Sequence, residues 1–191
     1  MYKFLRNTHL LIGVFSFLFL LMYGVSAVQM AHNRWFDNRP AVTETEFRLA
    51  PGADDARVVA RQLMDGHGLR GELLQVRKAE DGLSFRIQRP GTVYEVSYAP
   101  ASGAAKVKTN VANLMGMLNR IHHVGGLWHE FTLTNVWGYF VGLVSIALIV
   151  LALTGIYLWF KIHSERLVGG ILLALSLGYS VTLMVLIRTA Y

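Results

Sequence analysis

Three long stretches without a charged residue constrain this chain more than any other feature of its sequence. They run from Leu10 to Ala31, from Phe131 to Phe160 and from Leu167 to Ile187. A helix needs about 20 apolar residues to cross the roughly 30 Å of hydrocarbon in a bilayer, and each stretch is long enough. Charged residues make up only 16% of the chain, against about 25% in soluble domains. The sequence therefore predicts an α-helical membrane protein with three transmembrane helices in contact with the lipid bilayer.

Basic residues at the ends of these stretches predict the orientation in the membrane. Lys3 and Arg6 precede the first stretch, and Lys161 and Arg166 lie between the second and the third. Because the cytoplasmic flanks of membrane helices carry the excess of Lys and Arg, we expect the N-terminus and the short loop in the cytoplasm. The long middle segment is then periplasmic, and we expect a multi-pass protein of a bacterial inner membrane.

The first stretch also has features of a cleaved signal peptide. A short basic region precedes it, and Val25–Ala27 fits a small-x-small cleavage site. Its apolar run of about 22 residues is, however, longer than the roughly 7–15 residues usual in a signal peptide. We therefore expect an uncleaved membrane helix.

Several classes of function are not supported. The net charge is +6, but basic and acidic residues are nearly balanced and interspersed between His32 and Glu130, which gives no nucleic-acid patch. The absence of cysteine excludes disulfides, thiolate metal sites and iron–sulfur clusters. Ser97, Ser102 and Glu95 lie in ordinary strand and turn sequence and do not indicate a hydrolase triad. No P-loop or dinucleotide-binding glycine pattern occurs.

The middle segment predicts a small α+β domain. After a polar, proline-broken linker around Asp37–Phe47, the run from Pro51 to Leu69 has helical periodicity, with Val58, Val59 and Leu63 on one face. Alternating apolar residues then indicate an antiparallel meander of three or four strands, whose turns are "EDG", "RPG" and "PASG". We expect Tyr94 and Tyr98 on a face of this sheet.

The period changes again after the meander. Val111, Leu114, Met115, Leu118 and Ile121 are spaced as on an amphipathic helix, which ends near Gly125-Gly126. His129 would share a face with His122 only if that helix continued through the two glycines. The third apolar stretch contains several small residues, which favour close packing on neighbouring helices and other membrane-protein subunits.

At these residues the chain resembles PepSY-associated transmembrane proteins. "THLLIGVFSFLFLLMYGVSAVQMAHNRWF" is similar to the family's first helix, with its His-x-x-x-Gly start, and "NVWGYFVGLVSIALIVLALTGIYLWFK" to its later helix. "VYEVSYAPASGAAKV" resembles a PepSY strand, turn and glycine, although it lacks the aspartate that many members carry. The resemblance implies a periplasmic PepSY domain. It also implies kinship with ferric-siderophore reductases, whose membrane histidines hold b-type haem, but this chain has no flavin or nicotinamide module.

The expected segments follow from these boundaries. They are 1–36, with the first transmembrane helix at about 10–31; 37–110, the PepSY-like domain; 111–130, the interfacial helix and elbow; 131–160, the second transmembrane helix; 161–166, the cytoplasmic loop; and 167–191, the third transmembrane helix.

Six of the seven histidines sort into two layers on this topology, one near each membrane surface. The outer layer could hold a b haem between two imidazoles, or a metal ion with Glu130 or Asp37; the alternatives are structural hydrogen bonding and pH sensing. The inner layer is the weaker candidate. His67 is expected to be an exposed turn residue. The outer layer comprises His32, His122, His123 and His129, and the inner layer comprises His9 and His163.

Two functions from different classes fit this pattern. The first is a redox-associated membrane subunit, related to b haem or ferric iron, and the second is a non-catalytic accessory subunit of a larger membrane complex. A periplasmic peptidase regulator is a further alternative. Whether the chain is an enzyme stays open from the sequence.

Overall fold

The computed structural model describes residues 1–79, 82–162 and 165–190, which form five helices and five strands. The chain divides into two compact units, Met1–Leu18 with Val144–Tyr191, and Phe19–Leu143. In chain order the elements are α1 (Tyr2–Ala31), a 3₁₀ turn (Asn33–Trp35), β1 (Ala41–Arg48), α2 (Ala56–His67), β2 (Glu72–Ala79), β3 (Gly82–Arg89), β4 (Thr92–Ala99), β5 (Ala104–Val111), α3 (Leu114–His123), α4 (Thr132–Lys161) and α5 (Arg166–Thr189).

Three of these helices are long and apolar enough to cross a membrane. α1 and α4 have 30 residues each and α5 has 24. At about 1.5 Å per residue, the first two are about 45 Å long and exceed the roughly 30 Å hydrocarbon layer. The predicted fold class, three transmembrane helices with a small α+β domain, is confirmed.

The apolar stretch of α1 buries three polar residues and exposes many of its apolar ones. Ser16, Ser26 and Gln29 are fully buried and Phe19 is mostly buried, whereas large apolar residues such as Val14 are exposed. A soluble helix shows the opposite pattern. In lipid, apolar side chains gain nothing from leaving the surface, so small and polar residues occupy the helix contacts. This arrangement is that of a membrane helix.

The connection from α4 to α5 is held by aromatic and basic side chains. The Trp159 indole N–H donates to the Glu165 carbonyl at 3.0 Å, and a Cβ at Gly169 would collide with the same indole. The Arg166 guanidinium donates to the Phe160 carbonyl and lies 4.6 Å from the Phe160 ring centroid. Both contacts link the end of α4 to the start of α5.

The close packing expected for the small residues of α5 is present within the described chain only at Gly169. Gly170 and Gly178 have open space around them, and no described residue of α5 is buried. The face that these glycines form is therefore free for lipid or for another membrane helix.

The sheet has five antiparallel strands in the order β1-β5-β4-β3-β2. β2 to β5 form the predicted meander. The prediction of a linker at Asp37–Phe47 is wrong, because Ala41–Arg48 pairs with β5 along its whole length, from Ala41 opposite Val111 to Arg48 opposite Ala104. The sequence "AVTETEFR" lacks alternating apolar residues, since nearly all of its side chains are exposed. Its strand-favouring residues, Val42, Phe47 and two threonines, are the only local signal.

α2 packs its apolar face on the sheet and closes the core of the domain. The Asp55 side chain caps the N-terminus by accepting from the Arg57 amide at 2.8 Å, and Gly68, with φ +72°, ends the helix in the left-handed region. Val59 and Leu63 are fully buried, but Val58 is 45% exposed. The prediction that Val58 shares one face with Val59 and Leu63 is wrong, because the small residues Ala56 and Ala60 complete the buried face instead.

The turns between the strands contain residues that favour turn conformations. Pro90-Gly91 joins β3 to β4 with φ +83° at Gly91, and Gly103, with φ +69°, precedes β5. Both predicted turns are confirmed, whereas Glu80 and Asp81 of the "EDG" turn lie outside the described residues. Tyr98 lies in the core, as expected for a sheet face, and its hydroxyl donates to the Ala50 carbonyl at 2.7 Å.

Replacing Leu63 by alanine should destabilise the domain strongly, because the change leaves a cavity between α2 and β3. We expect a loss of about 2–5 kcal/mol in the opening free energy of β3 to β5. Hydrogen–deuterium exchange of the full chain in detergent measures it. Val58→Ala on the same helix is the matched control and should change it by no more than about 0.5 kcal/mol. Equal losses in the two variants would contradict the assignment of the core.

Candidate functional site

The outer-layer histidines lie where the domain joins the membrane helices. α3 is capped by Asn113, whose side chain accepts from the Gly116 amide at 2.8 Å, and it ends at His123. The fully buried Gln29 of α1 donates to the Met115 carbonyl at 2.8 Å, and the Trp137 indole of α4 donates to the Ile121 carbonyl at 3.3 Å. α3 is therefore bonded to both α1 and α4.

The predicted elbow follows directly. Gly126 has φ +99°, and a side chain there would collide with the Trp128 ring. A Cβ at Gly138 of α4 would collide with the Gly126 carbonyl, so the elbow passes against the helix backbone. Because α3 ends at His123, His129 does not share a helical face with His122.

His122 is bonded to the first membrane helix. Its Nδ1 lies 2.7 Å from the hydroxyl of Ser26, which donates to the Tyr23 carbonyl at 2.9 Å. The Ser26 hydroxyl therefore bridges the His122 ring and the backbone of α1. The ring also packs on Tyr23, with centroids 4.3 Å apart. His122 therefore joins α3 to α1.

His129 is bonded through both ring nitrogens. Nδ1 lies 3.0 and 3.2 Å from the two carboxylate oxygens of Glu72 at the start of β2, and Nε2 lies 3.1 Å from the Gly125 carbonyl. Its backbone amide donates to the Asn135 side chain at 3.0 Å, and that side chain donates back to the His129 carbonyl at 2.8 Å. The residue thus links the sheet, the elbow and α4.

Both acceptors around His129 favour the doubly protonated imidazolium. Burial acts to lower the pKa of His129, but the hydrogen bonds to Gly125 and Glu72 and the charge of Glu72 outweigh it, so the pKa is raised above 6.5. The folded protein stabilises the protonated form. This stabilisation is fully present below pH 6.5 and is lost as the pH rises through the raised pKa.

His32 and His123 have other surroundings. His32 is exposed after α1, and its ring stacks on Trp35 at 4.1 Å with an interplanar angle of 8°. His123 is exposed, and its ring centroid lies 5.7 Å from that of the adjacent His122. His67 is exposed, as expected, and packs on the Phe47 ring at 4.3 Å.

The inner layer lies in the other unit and repeats the bonding of His122. Nδ1 of His9 on α1 lies 2.8 Å from the hydroxyl of Thr154 on α4, which donates to the Val150 carbonyl at 2.7 Å. The His9 ring lies against Gly155, where a Cβ would come within 3.3 Å of Cε1. Its predicted partner His163 lies outside the described residues.

Some of the outer histidines have their ring nitrogens or ring faces occupied by other groups of the protein. His129 has both nitrogens bonded to protein oxygens, His32 is stacked on an indole, and His122 and His123 are neighbours on one helix. Bis-histidine ligation requires two imidazoles that converge from facing elements. Within the described ranges, no three His, Asp or Glu side chains are grouped to hold a metal ion. The arrangement instead joins helices and strands by hydrogen bonds.

Several partners in these contacts were not found from the sequence. Ser26 and Thr154 could have been singled out, because hydroxyls in apolar spans take backbone or side-chain partners. Glu72, 57 residues before His129, gave no signal, since its contact depends on the sheet register. Arg89 and Arg120, which lie near His123, gave no local signal either.

Comparison with known proteins gives one result. Residues 1–189 match the family described as PepSY_TM-like, which confirms the resemblance seen in the sequence. No curated protein and no solved structure matched the chain.

Replacing Glu72 by glutamine should lower the pKa of His129, because the change removes the charge that stabilises the imidazolium. Proton NMR of the histidine ring across roughly pH 5 to 8 measures that pKa. We also expect hydrogen exchange at the elbow to become faster and less dependent on pH. Glu95→Gln, which removes a carboxylate bonded to Arg86 on the same sheet, is the control. An unchanged His129 pKa in Glu72→Gln would contradict the assignment.

Proposed function

The chain belongs to the PepSY_TM-like family, and on this premise we propose that it is a non-catalytic accessory subunit of a larger membrane complex. In this proposal the PepSY domain binds an extended, basic segment of a partner protein along the free edge of β1. The spans anchor the domain and leave the free face of α5 for lipid or for helices of a larger complex.

The free edge of β1 is the observation on which the proposal rests. β1 is the outermost strand, and all eight of its residues pair with β5 without a bulge. Its other edge therefore presents unpaired backbone N–H and C=O groups in a regular strand. Such an edge is a template for addition of another strand, which is a common mode of peptide recognition.

The charges on the open face of the sheet select the partner. Arg86 pairs with Glu95 at 3.0 Å, Glu95 lies opposite Lys108, and Lys108 lies opposite Glu44. The sign alternates across four strands and ends with a carboxylate at the edge. Glu46, two residues on, is likewise opposite Lys106. Within the described residues neither edge carboxylate has an ion pair, so Lys or Arg on an added strand would continue the alternation.

The same charges disfavour pairing between two copies of this chain. If β1 paired with a second β1 about a two-fold axis, acidic side chains would face each other, and directly opposed like charges are destabilising. The other edge of the sheet is protected differently. β2 has an irregularity between Leu74 and Arg77, with φ +52° at Gln75, which interrupts a regular strand edge. The proposed occupant of the free β1 edge is therefore a basic strand from a different protein.

The test uses peptides of the length of β1 that alternate Lys with Thr, or Glu with Thr. The Lys peptide should bind the purified full chain at least about tenfold more tightly and protect the β1 amides from hydrogen exchange. The variant Glu44→Gln with Glu46→Gln should lose this preference. Asp54→Asn with Asp65→Asn, which removes two charges near α2, should keep it. Equal binding of both peptides, or protection only on dimerisation of the chain, would overturn the proposal.

We further propose a bacterial inner-membrane location with the N-terminus in the cytoplasm and the PepSY domain in the periplasm. The basic flanks Lys3, Arg6, Lys161 and Arg166 support it. Because the chain has no cysteine, Thr43→Cys gives a single thiol on the domain. A membrane-impermeant maleimide should label it in cells with a permeabilised outer membrane. Labelling only after lysis would refute this orientation.

A redox subunit is the second candidate, and one observation favours it. His9 and His122 each bond a hydroxyl through Nδ1, and among the described residues no hydrogen bond engages Nε2, a nitrogen suited to bind iron. A haem, when bound, would supply one-electron chemistry. For the first candidate, the chain purified from haem-supplied cells should show no reducible haem absorption. A reducible spectrum that His9→Ala or His122→Ala abolishes, and that His67→Ala keeps, would establish the second candidate instead.

A further inference from the structure

A cavity of about 290 Å³ lies in the second unit, where the sheet meets α3, the elbow and the start of α4. Basic side chains dominate its polar lining. The residues that matter are Glu72, Arg89, Arg120, His123, His129 and Thr134. None of the contacts at the β1 edge involves this cavity, so a ligand bound in it would be independent of the proposed function.

Two arginines at the cavity have buried nitrogens without a partner. Nε of Arg89, at the end of β3, and Nη1 of Arg120, on α3, are inaccessible to solvent and have no hydrogen bond to any described residue. An arginine is always charged, and a buried charged donor without an acceptor is unfavourable. Two such groups from separate elements at one cavity indicate that an acceptor is missing.

Glu72 does not supply that acceptor. Its two carboxylate oxygens lie 3.0 and 3.2 Å from His129 Nδ1, and one of them also accepts from the Glu130 amide at 3.2 Å. The carboxylate is thus engaged on the elbow side by the His129 ring and the Glu130 amide. Among the described residues neither guanidinium group has an ion pair, and the exposed ring of His123 lines the same cavity.

We propose that this cavity binds a phosphate-class anion, held by the guanidinium groups of Arg89 and Arg120. A guanidinium presents N–H donors in a planar fork that matches the oxygens of a phosphate, and charge-assisted bonds of this kind are the strong ones. His123 adds a further donor. The N-terminus of α4, beside Thr134, contributes the positive end of a long helix dipole.

The position of the cavity allows two sources of phosphate. His129 and Thr134 flank the start of α4, a helix about 45 Å long that extends beyond the hydrocarbon layer. The cavity therefore lies at the level of lipid headgroups and also close to water. The phosphodiester of an anionic lipid and a soluble phosphate present the same oxygens to the two arginines.

The test measures both sources on the full chain purified in detergent. Inorganic phosphate is titrated against chloride at equal ionic strength, with thermal unfolding as the readout. Phosphatidylglycerol is titrated against phosphatidylcholine in nanodiscs, with native mass spectrometry as the readout. We expect inorganic phosphate to stabilise the chain against thermal unfolding, or phosphatidylglycerol to be retained on it, or both. Arg89→Gln and Arg120→Gln should each weaken this binding about tenfold or more. Arg77→Gln on β2, outside the cavity, should change affinity less than about twofold.

The outcomes separate the sources and decide the proposal. Binding of phosphatidylglycerol alone assigns the site to lipid, and binding of inorganic phosphate alone assigns it to a soluble ligand. Arg120→Lys keeps the charge without the fork, so it should bind more weakly than the wild type but better than Arg120→Gln. Unchanged hydrogen exchange in β3 to β5 shows that the variants are folded. Equal affinity of the double glutamine variant and the wild type, or no binding in either arm, would overturn the proposal.

Discussion

Hydrogen bonds between a histidine and a hydroxyl join the helices in each of the two units of this protein. Hydrocarbon offers no partner to a polar group, so each one must be satisfied within the protein. His9 with Thr154, and His122 with Ser26, meet this requirement between different helices, and in both pairs the hydroxyl also donates a hydrogen bond to a carbonyl of its own helix. Small residues beside these pairs, such as Gly155, allow the close approach.

The junction between the elbow, the sheet and the start of α4 is held by hydrogen bonds to the charged carboxylate of Glu72. The elbow contacts the backbone of α4 at Gly138, and His129 ties it to Glu72 at the start of β2. His129 therefore links the starts of two elements that lie 60 residues apart in sequence, β2 at Glu72 and α4 at Thr132. The neighbouring cavity with Arg89 and Arg120 belongs to the same junction, so an anion there would act on a contact that already responds to pH.

The sequence predicts some levels of this structure well and others poorly. The spans, the Pro90-Gly91 turn and the bend at Gly126 follow from local chemistry: the length of an apolar run, or a residue that tolerates positive φ. β1 was missed because its side chains are exposed on both faces, so no periodicity marked it. The histidine layers were grouped by depth on the predicted topology alone. Their partners depend on rotation of each helix and on strand register, which no local pattern encodes.

The pairing of β1 with β5 determines how the domain is attached. β1 follows the first membrane helix, β5 leads into α3, and the two strands meet at Ala41 opposite Val111, so both chain connections leave the sheet at one end of a single antiparallel ladder. A force that separates the two connections would stretch the rungs of this ladder one after another, starting at that pair, instead of shearing them together. The domain is therefore mechanically weakest at its attachment, and tension would separate β1 from β5 one residue pair at a time while the α2-covered core stays closed.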